Sequence, residues 1–342
     1  MDGMIAVHPL AIGVIANPSS GRDLRRLFSW GSTSSMAEKI NAMLRLLTSA
    51  GALGITEAWL MPDSSGLARE VQSRARQARL RQASMPEIRL LDMLPSNSAR
   101  DSTNAAALMA GIGVRAIAVL GGDGTHRAVA RGCGEVPLVT LSTGTNNAFP
   151  ERFDATLTGM AAALVATGRA GDDVGVRRNK RLMVRGRGLE DMALVDIAVS
   201  RQDATGAGAV DCAQDLQELF VSFCEPGVIG LASVAALLEP TGRDCAHGLH
   251  LRMVAGAPCS VQAPLMPGML AEVGVGSLAR LQPGVPVAIS ATRGTLALDG
   301  ERSIEIAAHA PLTVTLDGLG PRSIMVEAVL RQAAVANRLK LG

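Results

Sequence analysis

The chain has 342 residues, more than one compact core ordinarily serves, and its 48% apolar content can fill two. A net charge of +2 with 19% charged residues excludes a surface built to neutralise many nucleic-acid phosphates and points to a small-molecule partner. Cys133, Cys212, Cys224, Cys245 and Cys259 form no C-x-x-C pair, the N-terminus lacks a basic segment with a long apolar core, and no apolar stretch reaches membrane-spanning length, so a cytoplasmic protein without a transmembrane segment is expected.

In chain order, strands and helices are expected to alternate. Ala11–Ala16 reads as a buried strand that empties into Asn17-Pro18-Ser19-Ser20-Gly21-Arg22. That loop, rich in small hydrogen-bonding residues and ending in a base, reads either as phosphate-facing or as an ordinary polar turn. Ile40, Met43, Leu44 and Leu47 fall at helical spacing and predict a helix over Met36–Thr48, followed by a strand at Ile55–Leu60. Leu67–Arg81 reads as a helix whose Arg69, Arg74, Arg76, Arg79 and Arg81 form a solvated face. Ile88–Met93 is the next strand, and Ser98-Ala-Arg-Asp101 resembles a capping box, with Asp for Glu, opening a helix that ends near Gly111.

Residues 116–125, Ala-Ile-Ala-Val-Leu-Gly-Gly-Asp-Gly-Thr, organise the chain. Ala116–Leu120 reads as a buried strand of a parallel sheet. Gly121, Gly122 and Gly124 are expected to take φ > 0 and bring backbone close to a ligand, with Thr125 capping a helix over His126–Arg131. A strand, a glycine turn and a helix N-terminus make an anion site, and phosphate is the expected guest. Asp123 would repel phosphates unless it holds Mg²⁺ or takes the proton of an attacking hydroxyl, and both roles belong to phosphoryl transfer. The plainer alternative is an Asp that caps backbone N–H groups of the turn. Val136–Leu141 gives a further strand, whose exit Ser142-Thr143-Gly144-Thr145-Asn146-Asn147-Ala148-Phe149-Pro150 supplies neutral donors and acceptors suited to ribose and phosphate oxygens. A helix over Ala155–Thr167 closes this half.

From about Gly171 the pattern shifts to short strands punctuated by glycine and proline, as in a β-sandwich: Arg181–Arg185, Met192–Val199, Leu249–Val254, Val285–Ala291 and Thr295–Leu298. Asp299-Gly300, between Thr295–Leu298 and Ser303–Ile306, is a two-residue hairpin signal that demands φ > 0 at both positions, and Glu301 follows it. A helix is expected at Val228–Leu238, and a last one over Met325–Leu339 could pack back on the first half. Cys245, His247, His250 and Cys259 fit no zinc ribbon or finger spacing, and no metal site is assigned. Arg177, Arg178, Lys180, Arg181, Arg185 and Arg187 read equally as a phosphate clamp at the domain junction and as a solvated cluster.

The Gly-Gly-Asp-Gly-Thr turn with the other loops resembles the superfamily of NAD kinases and diacylglycerol/sphingosine-type lipid kinases, most closely its branch of ATP-NAD kinase-like acetoin-catabolism X proteins. The resemblance runs from Asn17-Pro-Ser-Ser-Gly21 to Leu298-Asp-Gly-Glu301. It implies an α/β fold: a Rossmann-like parallel-sheet domain over 1–170, an inserted β-sandwich over 171–322 and a C-terminal helix, 323–342, returning to the first domain. It implies ATP and Mg²⁺, with Asp123 as the acid that deprotonates the acceptor. Asn17, Ser19, Ser20, Gly21, Gly121, Gly122, Gly124, Thr125, Thr143, Gly144, Thr145, Asn146 and Asn147 would then bind nucleotide and phosphate, while Asp196 and Glu301 would position acceptor or metal.

Departures bear on the acceptor. NAD kinases carry Asn-Glu or Asn-Asp where Ala193-Leu-Val-Asp196 keeps only the acid, and Gly-Ser-Thr-Ala-Tyr where this chain offers Pro226-Gly-Val-Ile-Gly230. Lipid kinases have Gly-Thr-x-Asn-Asp-Phe where Gly144-Thr-Asn-Asn-Ala148-Phe149 lacks the aspartate. The expected function is phosphoryl transfer from ATP to a hydroxyl, foremost the 2′-OH of NAD, with a link to acetoin catabolism. The alternatives are a lipid kinase and a catalytically weak nucleotide-binding regulator. A homo-oligomer stays open.

Overall fold

The computed structural model describes residues 10–20, 34–81, 84–144, 147–171, 175–202, 213–300 and 302–340. Gly21, Arg22, Thr145, Asn146, Cys212 and Glu301 therefore lie outside the described residues.

The first half alternates as its apolar runs require: β1 (Ala11–Ala16), α1 (Met36–Ala52), β2 (Glu57–Leu60), α2 (Leu67–Leu80), β3 (Glu87–Leu90), α3 (Ala99–Ile112), β4 (Ile117–Gly121), α4 (Asp123–Ala130), β5 (Leu138–Ser142) and α5 (Ala155–Ala166). Local chemistry sets the helix starts. Ser35 and Glu38 form a full capping box on α1, and the Asp154 side chain accepts from Thr156 N to open α5. Ser98 caps α3, but Asp101 does not complete a box: its carboxylate accepts from Ser96 and Asn97 N–H instead.

The chain continues through β6 (Val176–Arg178), β7 (Arg181–Gly186), β8 (Leu189–Ala193), β9 (Asp196–Ser200), β10 (Leu216–Val221), α6 (Ala232–Ala236), β11 (Gly248–Met253), β12 (Ser260–Met266), β13 (Met269–Leu281), β14 (Pro286–Ala288), β15 (Thr295–Leu298), β16 (Arg302–Glu305), α7 (Ile306–His309), β17 (Thr313–Asp317), β18 (Arg322–Ile324) and α8 (Val326–Val335).

The first sheet runs β3-β2-β1-β4-β5-β18-β6, parallel throughout except for β6. Its order reverses between β1 and β4, and such a switch point opens a crevice at the carboxyl ends of the strands. Strands β6 and β18 carry the chain out of this sheet and back. Between them, a sheet of order β12-β13-β11-β10-β9-β15-β16 and a second of order β14-β17-β7-β8 are antiparallel. Leu182, Val184, Ile197, Val199, Phe220, Leu296 and Leu316 share one buried core, which seals the two sheets face to face. Val326, Val329 and Ala333 of α8 join the core of the first domain beside α5.

Among the sequence expectations that change, the helix expected at Val228–Leu238 is the shorter α6, and two more concern the antiparallel strands. The run Met192–Val199 is not one strand: it breaks at Leu194–Val195 between β8 and β9. The hairpin after β15 has three residues rather than two, since Leu298 pairs with Arg302, although Asp299 (φ 51°) and Gly300 (φ 68°) both take positive φ.

Candidate active site

Three strand-exit loops meet at the switch point. The Asn17 N–H donates to Leu120 O (3.1 Å), and the Asn17 Nδ2 donates to Thr125 Oγ1 (3.0 Å), which joins the exit of β1 to the start of α4. Thr143 Oγ1 donates to Ser20 Oγ (3.0 Å), which joins the exit of β5 to the same place. Beneath the first loop lies a residue that sequence reasoning missed. Lys39 is 3% exposed and donates from Nζ to the carbonyls of Asn17, Pro18 and Ser20 at 3.2, 2.8 and 2.6 Å. Its signal was its place on the buried stripe of α1, one turn before Met43.

The glycine turn works differently from expectation. Gly121 ends a strand, Gly122 is extended (φ −92°, ψ −176°), Gly124 is helical, and none of the three has positive φ. Gly121 is required for space: a Cβ there would lie 2.6 Å from Thr125 Cβ. Because Gly122 is already extended at the cap position, α4 begins at Asp123, so Thr125 sits inside the first turn and is not the cap.

Asp123 is buried, and both of its oxygens face the loop after β5. Ala148 N donates to Oδ1 (3.2 Å) and Oδ2 (3.0 Å), and Phe149 N donates to Oδ1 (2.8 Å). Arg243 grips that loop from the opposite side. Its Nη2 donates to Ala148 O (2.7 Å) and Phe149 O (2.9 Å), with its guanidinium 5.4 Å from the Phe149 ring and 4.1 Å from the Phe223 ring. Burial holds the Arg243 guanidinium below its ordinary pKa.

Helix α4 is bolted to the antiparallel sheets. Arg127 faces Asp299 (3.7 Å) and also donates to Leu298 O, while Arg131 pairs with Asp191. Asp299 in turn accepts from the N–H groups of Leu194 (3.0 Å), Val195 (2.8 Å) and Asp196 (3.3 Å), which is why the strand breaks there. Burial pushes the Asp299 carboxyl upward, against Arg127 and those three N–H groups. The turn signal Asp299-Gly300 thus concealed the acid that orders the junction. Asp196 is buried beside it at the start of β9, and Val195 is 1% exposed within the apolar cluster of Leu194, Phe223 and Leu219. His126, on the same helix, is fully buried. Its Nδ1 meets Gly122 O at 2.8 Å, and desolvation lowers its pKa to about 4, so it is neutral near pH 7.

Two spaces flank this wall. A crevice of about 780 Å³ opens at the strand exits, lined by Asn17, Ser19, Gly124, Thr125, Ser65 and Arg100 among others. A cavity of about 720 Å³ lies where the loop after β5 meets the antiparallel domain and α8, lined by Asn147, Ala148, Glu151, Arg177, Glu225 and Arg331 among others. Asn17, Ser19, Gly124 and Thr125 therefore face the crevice and Asn147 the cavity; Ser142 and Thr143 line a third, smaller recess beside α1. The basic cluster disperses: Arg178 pairs with Glu135, Arg181 with Asp317 and Arg185 with Glu190, and Lys180 donates to the carbonyls of Gly242, Cys245 and His247.

A parallel sheet with polar strand-exit loops at its switch point, leading into facing antiparallel sheets, defines an NAD kinase-like α/β protein. The ATP-NAD kinase N-terminal domain family matches residues 12–170, and the acetoin catabolism protein X C-terminal domain family matches residues 180–318. The chain is 40% identical over 329 residues to "Acetoin catabolism protein X" of Cupriavidus necator (strain ATCC 17699 / DSM 428 / KCTC 22496 / NCIMB 10442 / H16 / Stanier 337), covering 94% of this chain and 92% of that one. It belongs to the acetoin catabolism protein X family. A putative diacylglycerol kinase from Bacillus anthracis str. Sterne aligns over 93% of this chain and 99% of its own at 12% identity and a TM-score of 0.43.

Proposed function

We propose that this protein is an ATP-dependent kinase that transfers a phosphoryl group to a hydroxyl, foremost the 2′-OH of NAD, in cells that catabolise acetoin. One observation carries the reading: Asp123 lines neither ligand-sized space itself but links them, since its neighbour Gly124 lines the crevice and Ala148, whose N–H its carboxylate accepts, lines the cavity. The crevice takes ATP, with phosphates toward Asn17, Ser19, Gly124 and Thr125 at the N-terminal end of α4, where unpaired N–H groups and the helix dipole favour anions. The acceptor enters the cavity, and Asp123 takes its proton.

Mg²⁺ suits this donor set. It commonly binds through one or two carboxylates plus phosphates and waters, and Asp123 is the acid placed to share it. When bound, it neutralises charge on the transferring phosphate.

A second reading, a nucleotide-binding regulator without turnover, is favoured by Val195. Its side chain is packed into apolar core where an acceptor-binding asparagine would be expected, so it offers no polar group to a nucleotide. The deciding experiment measures ATP consumption by wild type and Asp123→Asn with NAD, NADH and diacylglycerol offered separately. The kinase reading expects NAD-dependent turnover that falls by about two to four powers of ten in the variant, with ATP binding retained. Turnover of diacylglycerol alone would transfer the assignment to a lipid kinase. Binding without turnover would favour the regulator.

A further inference from the structure

The acceptor-side cavity contains a group for which the site described so far has no use. Of the basic residues near the domain junction, Arg177 on β6 lines this cavity, and its Nε is buried with no hydrogen-bond partner among the described residues. Among the described residues its Nη1 meets Asp244 at 3.2 Å, and that aspartate side chain is 84% exposed. A buried guanidinium N–H without an acceptor is costly, so a cavity beside one is suited to a ligand that brings oxygen. Two further arginines line the same space from other elements: Arg152 from the segment after β5 and Arg331 from α8. Arg331 pairs with Glu327 one turn away, with both side chains mostly exposed; such pairs hold weakly and yield readily to a stronger anion. Arg243 is committed to the carbonyls of Ala148 and Phe149 and is not counted.

We infer that Arg152, Arg177 and Arg331 form an anion subsite that holds a phosphate group already carried by the acceptor. The acceptor class is therefore a phosphorylated hydroxyl compound rather than a neutral lipid. Guanidinium groups from three elements suit the tetrahedral oxygens of a phosphate, whereas one bidentate arginine would satisfy a planar carboxylate. The acids of the cavity fit this arrangement. Glu151 accepts from Val326 N, and burial raises its pKa, which weakens its claim on the arginines. Glu225 faces Arg243 at 3.7 Å.

This inference rests on the reading of the cavity as the acceptor side, but its test needs no turnover. The crevice is first filled with a non-hydrolysable ATP analogue, and inorganic phosphate, then acetate, is titrated calorimetrically against wild type, Arg177→Gln, Asp244→Asn and the remote charge control Arg74→Gln. Arg177→Gln is expected to weaken phosphate binding about tenfold or more, the size of one charge-assisted hydrogen bond. Asp244→Asn, which releases Arg177 from its competing acid, is expected to tighten phosphate binding severalfold and serves as the deciding variant if Arg177→Gln does not fold. Arg74→Gln should leave it unchanged, and acetate should bind more weakly than phosphate. Unchanged phosphate affinity in a folded Arg177→Gln protein, no tightening in Asp244→Asn, an equal loss in Arg74→Gln, or acetate binding as well as phosphate would each overturn the subsite. Failure of the ATP analogue to bind would instead count against the crevice assignment, and phosphate binding that still follows Arg177 and Asp244 would keep the subsite.

Discussion

The crevice and the cavity are nearly the same size, about 780 and about 720 Å³, yet they differ in how they are built. The crevice is lined mainly by hydroxyls, amides and helix-start residues of strand-exit loops, with Asp63, Arg100, Asp101, Arg127 and Arg131 also on its wall. The cavity is lined by guanidinium and carboxylate groups from β6, α8 and the segments around Glu151 and Glu225, which the fold alone brings together. Size cannot say which space takes which substrate, but chemistry can. Hydroxyl and amide donors beside a helix N-terminus suit the phosphates of a nucleotide donor, and a lining in which charged side chains predominate suits an acceptor that must be positioned and released. Buried behind both is Asp123, which holds the N–H groups of the loop after β5 while Arg243 holds its carbonyls.

The wall can be broken from the antiparallel domain. Asp299→Ala leaves Arg127 buried without its carboxylate and three N–H groups without an acceptor, and is expected to cost about 3–5 kcal/mol. The loss should appear as a lowered Tm with the cavity's ligand affected before the crevice's. A Tm within a degree or two of wild type would mean that this bolt is dispensable.

Acid should weaken the same wall through His126. Its folded pKa of about 4 lies below the unfolded value near 6.5, so the unfolded chain binds the extra proton between those limits. The contribution is fully present above pH 6.5 and is lost progressively toward pH 4, by ~3 kcal/mol in total. Thermal unfolding at pH 7 and pH 4.5 should show this loss in wild type and a smaller one in His126→Asn, which keeps a donor for Gly122 O. Equal acid sensitivity in both proteins would place the pH dependence elsewhere.

The crevice side should answer a smaller change. Lys39→Met leaves the carbonyls of Asn17, Pro18 and Ser20 without their shared donor, at about 1–3 kcal/mol. ATP affinity should fall roughly tenfold while phosphate binding at Arg177 is unchanged. An equal loss in both spaces would mean that the crevice and the cavity are not independent.

This contrast also explains what could be read in advance. Ala11–Ala16 was legible to the residue because a six-residue apolar run with β-branched residues, ended by a polar loop, is too short for a helix and suits a buried strand, and the three exit loops were legible because their residues are contiguous. The sequence offers no clear strand over Met269–Leu281, where Gly274 and Gly276 interrupt the apolar pattern. Both lie within β13 against Val254, whose carbonyl or side chain would meet an added Cβ within 2.6 Å, so a 13-residue strand was hidden. The break at Leu194–Val195 was illegible because its cause, Asp299, lies about a hundred residues away. Arg177 was named within a basic cluster and Arg243 and Arg331 were not singled out at all, because nothing local marks a side chain that serves a distant loop.

The most direct measurement is equilibrium binding of a non-hydrolysable ATP analogue and of NAD, each titrated alone and in the presence of the other. Two separately lined spaces joined through Asp123 predict a ternary complex with one molecule of each bound, NAD affinity falling in Arg177→Gln, and analogue affinity falling only in Lys39→Met. Mutual displacement of the two nucleotides, with both responding to Lys39→Met and neither to Arg177→Gln, would contradict it.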